Sequence, residues 1–192
     1  MDPVIDQTFA LRGRFQHVVS NELELRRIIG KPSFWFQSKT LSRLSSGCRD
    51  FIAASPFLII ASTAAAGAVD ASPRGDPAGF VHVLDDATLA IPDRPGNRRC
   101  DTLQNILERP GVGLIFLVPG RAETLRICGR AVVVRDRGMR ESLALDGRLP
   151  ELAIVVAIER AFFHCARCIR RSKLWEAGGL PGSAEPPRFA DS

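Results

Sequence analysis

The sequence has no tyrosine, only three lysines among its 26 basic residues, and no long apolar run. A membrane-spanning helix needs about 20 consecutive apolar residues, so we expect no membrane span. The five cysteines are an odd number scattered along the chain, which is typical of reduced thiols and unlike a disulfide framework. The start, Met1-Asp2-Pro3, has no basic region followed by an apolar stretch. We therefore expect a cytoplasmic protein without structural disulfides.

Common nucleotide-binding patterns are also missing. The chain has no glycine-rich loop ending in Lys-Ser or Lys-Thr, and no Gly-x-Gly-x-x-Gly between a strand and a helix. The net charge is only +5, and the arginines are mostly dispersed without interleaved aromatic residues. Nucleic-acid-binding surfaces cluster their basic residues and place aromatic side chains among them. We therefore expect no usual ATP or NAD site and no nucleic-acid partner.

The length and composition are typical of one globular domain. The chain has 192 residues, of which 45% are hydrophobic, enough for a sizeable core. Residues 1–20 show little hydrophobic periodicity and are expected to form an N-terminal extension. Residues 177–192 are rich in Gly, Pro and Ser, which predicts a disordered tail. The domain itself is expected to span residues 21–176.

Helical signals are few. Asn21 and Glu24 have the spacing of a helix-capping pair, which predicts a helix that ends at Gly30. Apolar spacing predicts further helices over residues 38–54, from 101 to the Pro-Gly at 110–111, around 137–145 and over 166–175.

Strand signals dominate the rest of the chain. Apolar or alternating runs predict strands over residues 57–62, from 69, and over 79–84, 88–91, 112–118, 125–135 and 152–158. Most of these runs are joined by tight turns, and the β–α–β alternation of a parallel sheet is missing. The sequence therefore predicts a mainly β fold with flanking α-helices, namely an antiparallel barrel of at least six strands.

A cluster of arginines lies between a strand end and a helix start. Residues 93–99 include Arg94, Arg98 and Arg99, together with Gly96. A helix N-terminus offers unpaired backbone N–H groups, glycine lets a ligand approach the main chain, and guanidinium groups bind phosphate oxygens in pairs. This stretch indicates a site for a phosphate monoester. The alternative is that Arg94 and Arg99 are solvated and Asn97 only caps the helix.

Several segments together resemble a known family. Pro-Gly-Asn-Arg-Arg at 95–99, the helix after residue 101 and the strand over 112–118 are similar to flavin-binding split barrels of the pyridoxamine 5'-phosphate oxidase type. Ser-Pro-Arg-Gly-Asp at 72–76 and the closing stretch, 163–175, resemble a predicted FMN-dependent branch of that family. The resemblance extends over about residues 22–176. It implies a six-stranded antiparallel split β-barrel and a homodimer with one FMN at each end of the subunit interface.

The resemblance also implies roles for individual residues. Asn97, Arg98 and Arg99 occupy the positions of a Ser-Arg-Lys that holds the FMN phosphate in the family. Thr124 falls where the family places a Gln that reaches the flavin from the second subunit. His164 is expected to border the flavin.

Two further residues are candidates at the flavin ring. A cation near the N1 and C2 carbonyl of the ring stabilises the anionic reduced form, and Arg74 is the candidate. The alternative for Arg74 is a surface ion pair with Asp76. Trp175 is expected to close the far side of the pocket, and its alternative is to pack against a solvated helix. Because flavin itself carries hydride and electrons, no side-chain nucleophile is required.

Cys165 and Cys168 form a Cys-x-x-Cys that follows His164 directly. Metal sites need about four ligands, and the chain has no second cysteine pair of similar spacing. Haem attachment requires the histidine after the pair, whereas here it precedes it. We therefore expect no metal at this motif.

Three hypotheses of function remain from the sequence. The first is an FMN-binding, dimeric oxidoreductase that acts on an unknown small-molecule substrate. The second is a module of the same fold that binds flavin, deazaflavin or haem without turnover. The third is an arginine-rich binder of nucleic acid or of an acidic partner, whose retention on DNA or RNA would depend on salt.

Overall fold

The computed structural model describes residues 9–31 and 40–176. The chain divides into two compact units, residues 1–38 and 39–192. The predicted disordered tail, 177–192, lies outside the described residues, as do residues 38 and 39, where the second helix was predicted to begin. The domain limits derived from the sequence, 21–176, remain a prediction. No helix within the described ranges is both long and apolar enough to cross a membrane.

The first unit contains α1 (Glu22–Ile29). The Asn21 side chain accepts a hydrogen bond from the backbone N–H of Glu24 at 2.9 Å. The Glu24 carboxylate in turn accepts one from the backbone N–H of Ser20 at 3.2 Å. Gly30 ends the helix with a φ of 83°, a conformation that glycine adopts without steric cost. The predicted capping and the predicted end of this helix are therefore confirmed.

The second unit is mainly β with flanking helices. Its elements are α2 (Ser46–Ala54), β1 (Phe57–Thr63), β2 (Val69–Gly75), β3 (His82–Asp85), β4 (Thr88–Asp93), α3 (Asp101–Glu108), β5 (Gly111–Leu117), β6 (Thr124–Val134), α4 (Arg137–Ser142), β7 (Leu152–His164) and α5 (Arg167–Ser172). The strands form one antiparallel sheet in the order β2-β1-β5-β6-β7-β4-β3. The predicted antiparallel, mainly β fold is confirmed. The sheet has seven strands where the family resemblance implies six, and it is not closed by hydrogen bonds between β2 and β3 within the described residues.

The second helix begins later than the predicted 38–54. It begins at Ser46, because the Ser45 side chain accepts a hydrogen bond from the backbone N–H of Cys48 at 3.3 Å and caps the helix there. Leu41 lies on the sheet and exchanges two backbone hydrogen bonds with Ala161, of 2.9 and 2.8 Å. The last strand reaches His164, so the apolar residues Phe162 and Phe163 extend the strand predicted over 152–158. Tertiary pairing with β6 along its length stabilises this extension.

The core lies on the inner face of the sheet. Alternate residues along each strand are buried, as the period-two geometry of a strand requires. Leu58 and Ile60 on β1 are fully buried, as are Phe116 on β5 and Ile127 on β6. Helices α2 and α3 contribute buried apolar side chains to the same core, namely Phe51, Ile52, Leu103 and Ile106.

The opposite face of four neighbouring strands is apolar and is not buried. Phe57 is 38% exposed, and its strand neighbour Ile59 is half-buried and lies opposite both Pro73 and Ile115. We call this surface the outer face; it consists of Phe57, Ile59, Ala61, Ala71, Pro73, Gly113, Ile115, Leu117 and Cys128, and the charged residues Arg126 and Arg130 lie at its β6 edge. A Cβ added at Gly113 would have no heavy atom within 4 Å, so this part of the face is open.

Gly129 lies at the irregularity in the β6–β7 pairing, between Cys128 and Gly129. A Cβ at this position would approach the backbone oxygen of Ala157 to 2.1 Å, a contact that the two strands can relieve only by separating. We expect Gly129→Ala to lower the free energy of unfolding by about 2–4 kcal/mol, since overpacking against backbone has no flexible partner to yield. Urea denaturation measures the change.

The control is Gly111→Ala, also in a strand and with nothing within 4 Å of its Cβ position. We expect a change within about 0.5 kcal/mol for this variant. Equal stability of the two variants would contradict the backbone contact at Gly129.

Candidate functional site

Two side-chain hydrogen bonds hold α3 against β1 and β2. The buried Asn105 amide donates to the Ser62 hydroxyl at 2.9 Å. The Thr102 hydroxyl donates to the Asp70 carboxylate at 3.0 Å. Because Thr102 is in the first turn of α3, this second bond fixes the helix N-terminus beside β2. The unpaired N–H groups of that first turn are therefore placed at a defined position.

The segment that leads into α3 has an unusual backbone. Arg98 and Cys100 have φ angles of 62° and 61°, in the left-handed region that costs a non-glycine residue about 1–2 kcal/mol. Cys100 occupies the N-cap position without a side-chain hydrogen bond to the helix. The Asn97 side chain accepts from the backbone N–H of Arg99 at 3.1 Å, so Asn97 shapes the turn and does not cap the helix. Such sparsely populated conformations concentrate at ligand-binding segments.

Two crossed ion pairs join β2 to the end of β4, although these strands are not neighbours in the sheet. Arg74 on β2 lies 3.5 Å from the Asp93 carboxylate. Arg94 donates from Nε to the Asp76 carboxylate at 2.5 Å. The alternative in which Arg74 pairs with Asp76 is wrong, because Asp76 faces Arg94 instead. The sheet therefore curves so that the edge strand β2 contacts the end of β4, where the arginine-rich segment begins.

A cavity of about 500 Å³ lies at this junction. Its size falls within the range of roughly 300–1,000 Å³ that is usual for small-molecule sites. It is lined by residues of β2, of the segment after β4 and of the start of α3, namely 70–74, 93–103 and Glu151. A smaller cavity of about 220 Å³ adjoins it and shares Pro73, Arg74, Arg94, Pro95 and Gly96; Pro92 also lines it.

The charges around the main cavity are balanced. Its lining includes four arginines, Arg74, Arg94, Arg98 and Arg99, and four acidic residues, Asp70, Asp93, Asp101 and Glu151. Arg99 donates to Asp101 at 2.8 Å, and this contact raises the pKa of the Arg99 guanidinium. Arg98 is exposed and has no ion-pair partner among the described residues. A dianion that enters the cavity would therefore meet Arg98, which is unpaired among the described residues. The other three arginines already form ion pairs with carboxylates.

Arg74 and Asp93 form a partly buried ion pair in the cavity. Burial raises the pKa of the Asp93 carboxyl, and the nearby Arg74 opposes this increase. The Nε of Arg74 is buried and has no hydrogen-bond partner within the described structure. A buried N–H group without a partner costs about 1–3 kcal/mol, so an acceptor supplied by a ligand would relieve this cost.

The other predicted site residues lie elsewhere. Thr124 begins β6, is buried, and pairs with His164 at the end of β7. Trp175 is 39% exposed and donates from its indole N–H to the backbone oxygen of Arg121 at 2.7 Å. Within the described part of the chain, none of these three lines the arginine cavity.

A second cavity, of about 400 Å³, lies beside them. It is lined by Gly47, Asp50, Phe51, Ala54, Val118, Arg121, Glu123 and Phe163. The rings of Phe51 and Phe163 meet edge to face with centroids 5.5 Å apart. The sequence-predicted residues thus fall into two groups within one chain, one at the arginine cavity and one near this apolar cavity.

Some residues of the cavity were not singled out by the sequence. Asp93 stands next to Arg94 in the predicted loop, but pattern alone assigns it no role. Asp70 and Thr102 form a contact between segments 32 residues apart, which no local motif reveals. The sequence signal that could have pointed to Asp93 is its position at a strand end, between Pro92 and Arg94.

No group of three or more His, Cys, Asp or Glu side chains in the described ranges is arranged to hold a metal ion. This includes His164, Cys165 and Cys168, which are all exposed. Within the described residues, the His164, Cys165 and Cys168 side chains are therefore not arranged as a metal-binding group.

Comparison with known proteins places the chain in a family. The family model for pyridoxamine 5'-phosphate oxidase matches residues 44–165, more than half of the chain. The protein belongs to the pyridoxamine 5'-phosphate oxidase family. The match includes both ion pairs, the arginine-rich segment and all seven strands, so it covers the candidate site.

Two solved structures have the same fold, and a third, with a TM-score below 0.5, is a more distant match. HupZ from Group A Streptococcus aligns with a TM-score of 0.52 at 17% identity, over 62% of this chain and 93% of that protein. A putative pyridoxamine 5'-phosphate oxidase from Lactobacillus delbrueckii aligns with a TM-score of 0.50 at 19% identity, over 64% of this chain and 95% of that one. An FMN-binding protein from Syntrophomonas wolfei aligns with a TM-score of 0.45 at 10% identity, over 74% and 97%. No curated protein matches the sequence.

We predict that Asp93 makes stability depend on pH. Because burial raises its pKa, the folded chain binds this proton more tightly than the unfolded chain. The resulting stabilisation is complete below the ordinary value of 3.8 and is lost as pH rises through the raised pKa. The free energy of unfolding of the wild type, relative to Asp93→Asn, should therefore fall as pH rises above 3.8. Urea denaturation across this range measures it.

The control is Asp146→Asn, which removes an exposed carboxylate from a turn with a φ of 48°, a conformation that Asn tolerates. This variant should follow the wild type at every pH. A constant difference between wild type and Asp93→Asn would contradict the role assigned to burial at Asp93.

Proposed function

We propose that this protein is an FMN-binding flavoprotein, and that it acts as an oxidoreductase on a small molecule. The observation that carries the proposal is the arginine cavity at the start of α3, where Arg74 holds a buried N–H without an acceptor. Membership of the pyridoxamine 5'-phosphate oxidase family supports a flavin as the group that these donors bind. FMN supplies the hydride or electron transfer, so the chain needs only to bind, orient and shield it.

The phosphate end of FMN is assigned to the segment that leads into α3. Arg98 has no ion-pair partner among the described residues, and Arg99 shares its guanidinium with the exposed Asp101. The left-handed turns at Arg98 and Cys100 direct this segment along the cavity wall. A phosphate dianion here would accept charge-assisted hydrogen bonds from both guanidinium groups and from N–H groups at the helix start.

The ring end of FMN is assigned to Arg74. This side chain lines the cavity from β2, whereas Arg98 and Arg99 line it from the segment that leads into α3. Its Nε is the buried donor that lacks a partner, and a flavin carbonyl or N1 is an acceptor of the required kind. A fixed cation at that position favours negative charge on the ring. Burial raises the pKa of Asp93, which weakens its hold on Arg74 relative to a fully solvated carboxylate.

A homodimer formed through the outer face is part of the proposal. Three strands present apolar and small residues there, and β6 adds Cys128 beside Arg126 and Arg130, with no covering element among the described residues of the second unit. Flat apolar surfaces of this kind are typical of permanent subunit interfaces. Ile59 lies at the centre of this face, between Pro73 and Ile115.

The dimer would also explain the two groups of site residues. Thr124, His164 and Trp175 lie outside the arginine cavity of their own chain. In the proposed assembly they complete the flavin site of the partner subunit, beside the apolar cavity that Phe51 and Phe163 line. The ring of FMN would then contact both chains, while the phosphate stays with one.

We expect Arg98→Ala and Arg99→Ala each to weaken FMN binding by about one to two orders of magnitude. Each change removes charge-assisted hydrogen bonds of about 1.5–3 kcal/mol. Flavin fluorescence quenching on titration of the apoprotein measures the dissociation constant. Arg160→Ala, which removes an exposed arginine on β7, is the matched control and should bind FMN as the wild type does.

A protein that ignores micromolar FMN would refute the proposal, and unchanged affinity in both arginine variants would move the phosphate site elsewhere. Mixing the loaded protein with NADH or NADPH separates an oxidoreductase from a binding module. Rapid bleaching of the flavin absorbance, followed by reoxidation with an acceptor, supports turnover. A flavin that stays oxidised with both donors supports the binding module.

We expect Ile59→Glu to convert the dimer to monomers. Burial of an unpaired carboxylate at the interface should raise the dimer dissociation constant by about a hundredfold or more. Leu84→Glu, at a 43% exposed position on β3 outside the outer face, should leave the dimer intact. Light scattering after gel filtration reports the mass, and circular dichroism confirms folding. A folded Ile59→Glu dimer would contradict this interface.

A further inference from the structure

Two exposed cysteines have no role in the proposed function. Cys165 directly follows the end of β7, and Cys168 lies in the first turn of α5. Both thiols are free and exposed. Of the other cysteines, Cys48 is buried at 1% exposure, and Cys128 is half-buried on the outer face. Cys100 is also exposed but lies far from the others in sequence, so Cys165 and Cys168 are the two exposed cysteines that are close together in the chain.

The backbone between them brings the two side chains together. Ala166 has φ −67° and ψ −5°, and the next residue, Arg167, begins the helix. With Ala166 in the helical region and Arg167 in the helix, Cys165 and Cys168 are three residues apart on one helical turn, where side chains are neighbours at about 5–6 Å between Cβ atoms. The Cys168 Sγ lies 3.9 Å from the backbone oxygen of Cys165, so this thiol turns back towards the first cysteine. Disulfides join cysteines with Cα separations of about 4.4–6.8 Å, so the turn is compatible with a bond.

We propose that Cys165 and Cys168 form a reversible dithiol–disulfide pair that is oxidised by hydroperoxides. One thiolate attacks the peroxide oxygen, and a sulfenic acid forms as the O–O bond breaks and water leaves. The second thiol attacks the sulfenic sulfur, which forms the S–S bond and releases a second water. The dithiol loses two electrons and two protons, and one hydrogen peroxide becomes two waters. A small dithiol such as dithiothreitol reverses the change by thiol–disulfide exchange.

The surroundings of the pair favour this chemistry. The motif lies outside the arginine cavity of its own chain, so no residue of that cavity takes part in the reaction. The segment that carries the second cysteine is basic: α5 and the residue after it include Arg167, Arg170, Arg171 and Lys173. The described residues offer no third ligand in an arrangement that would direct the pair to a metal.

The disulfide would also affect the segment that follows. Helix α5 is short, and Trp175 fixes its far end through the 2.7 Å hydrogen bond to the backbone of Arg121. A covalent bond across the first turn of α5 limits the motion of that turn. We therefore expect oxidation to change the environment of the Trp175 indole.

Trypsin gives a direct test in the full chain, because it cleaves after Arg167, between the two cysteines. The reduced protein is treated with hydrogen peroxide, blocked with iodoacetamide under denaturing conditions and digested without reductant. We expect peptides 161–167 and 168–170 to remain joined by a disulfide, and dithiothreitol to separate them. Mass spectrometry identifies the joined pair. The same treatment without peroxide should give both peptides alkylated and separate.

The variants Cys165→Ser and Cys168→Ser should each abolish the joined peptides, and the remaining thiol should become a sulfenic acid that dimedone traps. Cys100→Ser, which removes an exposed cysteine elsewhere, is the matched control and should leave the joined pair unchanged. The proposal is overturned if peroxide leaves both cysteines alkylated and separate, oxidises them without joining them, or joins either one to another cysteine or another chain.

Tryptophan fluorescence supplies a second measurement. In a Trp35→Phe background Trp175 is the one remaining tryptophan of the sequence. Its emission should shift on peroxide treatment, return with dithiothreitol, and stay constant in the Cys168→Ser variant. A joined peptide pair with constant emission would overturn the proposed effect on the helix, and a shift that persists in Cys168→Ser would assign it to another reaction.

Discussion

The crossed ion pairs between β2 and the end of β4 are the constraint on which the candidate site depends. Arg74 with Asp93, and Arg94 with Asp76, connect segments that the hydrogen-bonded sheet leaves apart. All four side chains are largely shielded from solvent, and removing one partner would leave a shielded charge without compensation. The two ion pairs therefore hold β2 against the end of β4. The cavity lies between these joined segments and the N-terminus of α3.

The same interactions set the electrostatics of the site. Four arginine side chains around one cavity would repel one another if no acidic residue were present. The four acidic residues of the lining offset this repulsion in the chain without ligand. The consequence is that an anionic ligand must compete with carboxylates for guanidinium groups. At Asp93, burial raises the pKa and so opposes the charged form that pairs with Arg74. The proposed flavin site thus combines Arg98, which has no ion-pair partner among the described residues, with Arg74, whose partner Asp93 a ligand can replace.

The sequence predicted local structure well and long-range contacts poorly. The capping pair at Asn21 and the apolar runs of the strands depend on near neighbours, and they appear as expected. The start of α2 was misplaced because Leu41 pairs with Ala161, a partner that apolar spacing does not reveal. The arginine segment was recognised from its composition, and Arg74 joins it in the cavity. The alternative in which Arg74 pairs with Asp76 is wrong, since only the tertiary structure determines which acid each arginine meets.

The open sheet also bears on self-association in the unfolded or partly folded chain. An uncovered strand edge offers a row of N–H and C=O groups to any other extended segment. Pro73 stands on the edge strand β2, and Pro92 stands on β4 beyond the last residue that β3 pairs with. Neither proline can donate a backbone hydrogen bond, so an incoming strand would find the ladder interrupted at the rim of the cavity. The chain thereby keeps its binding cleft accessible to small molecules while discouraging edge-to-edge fibril growth at the same place.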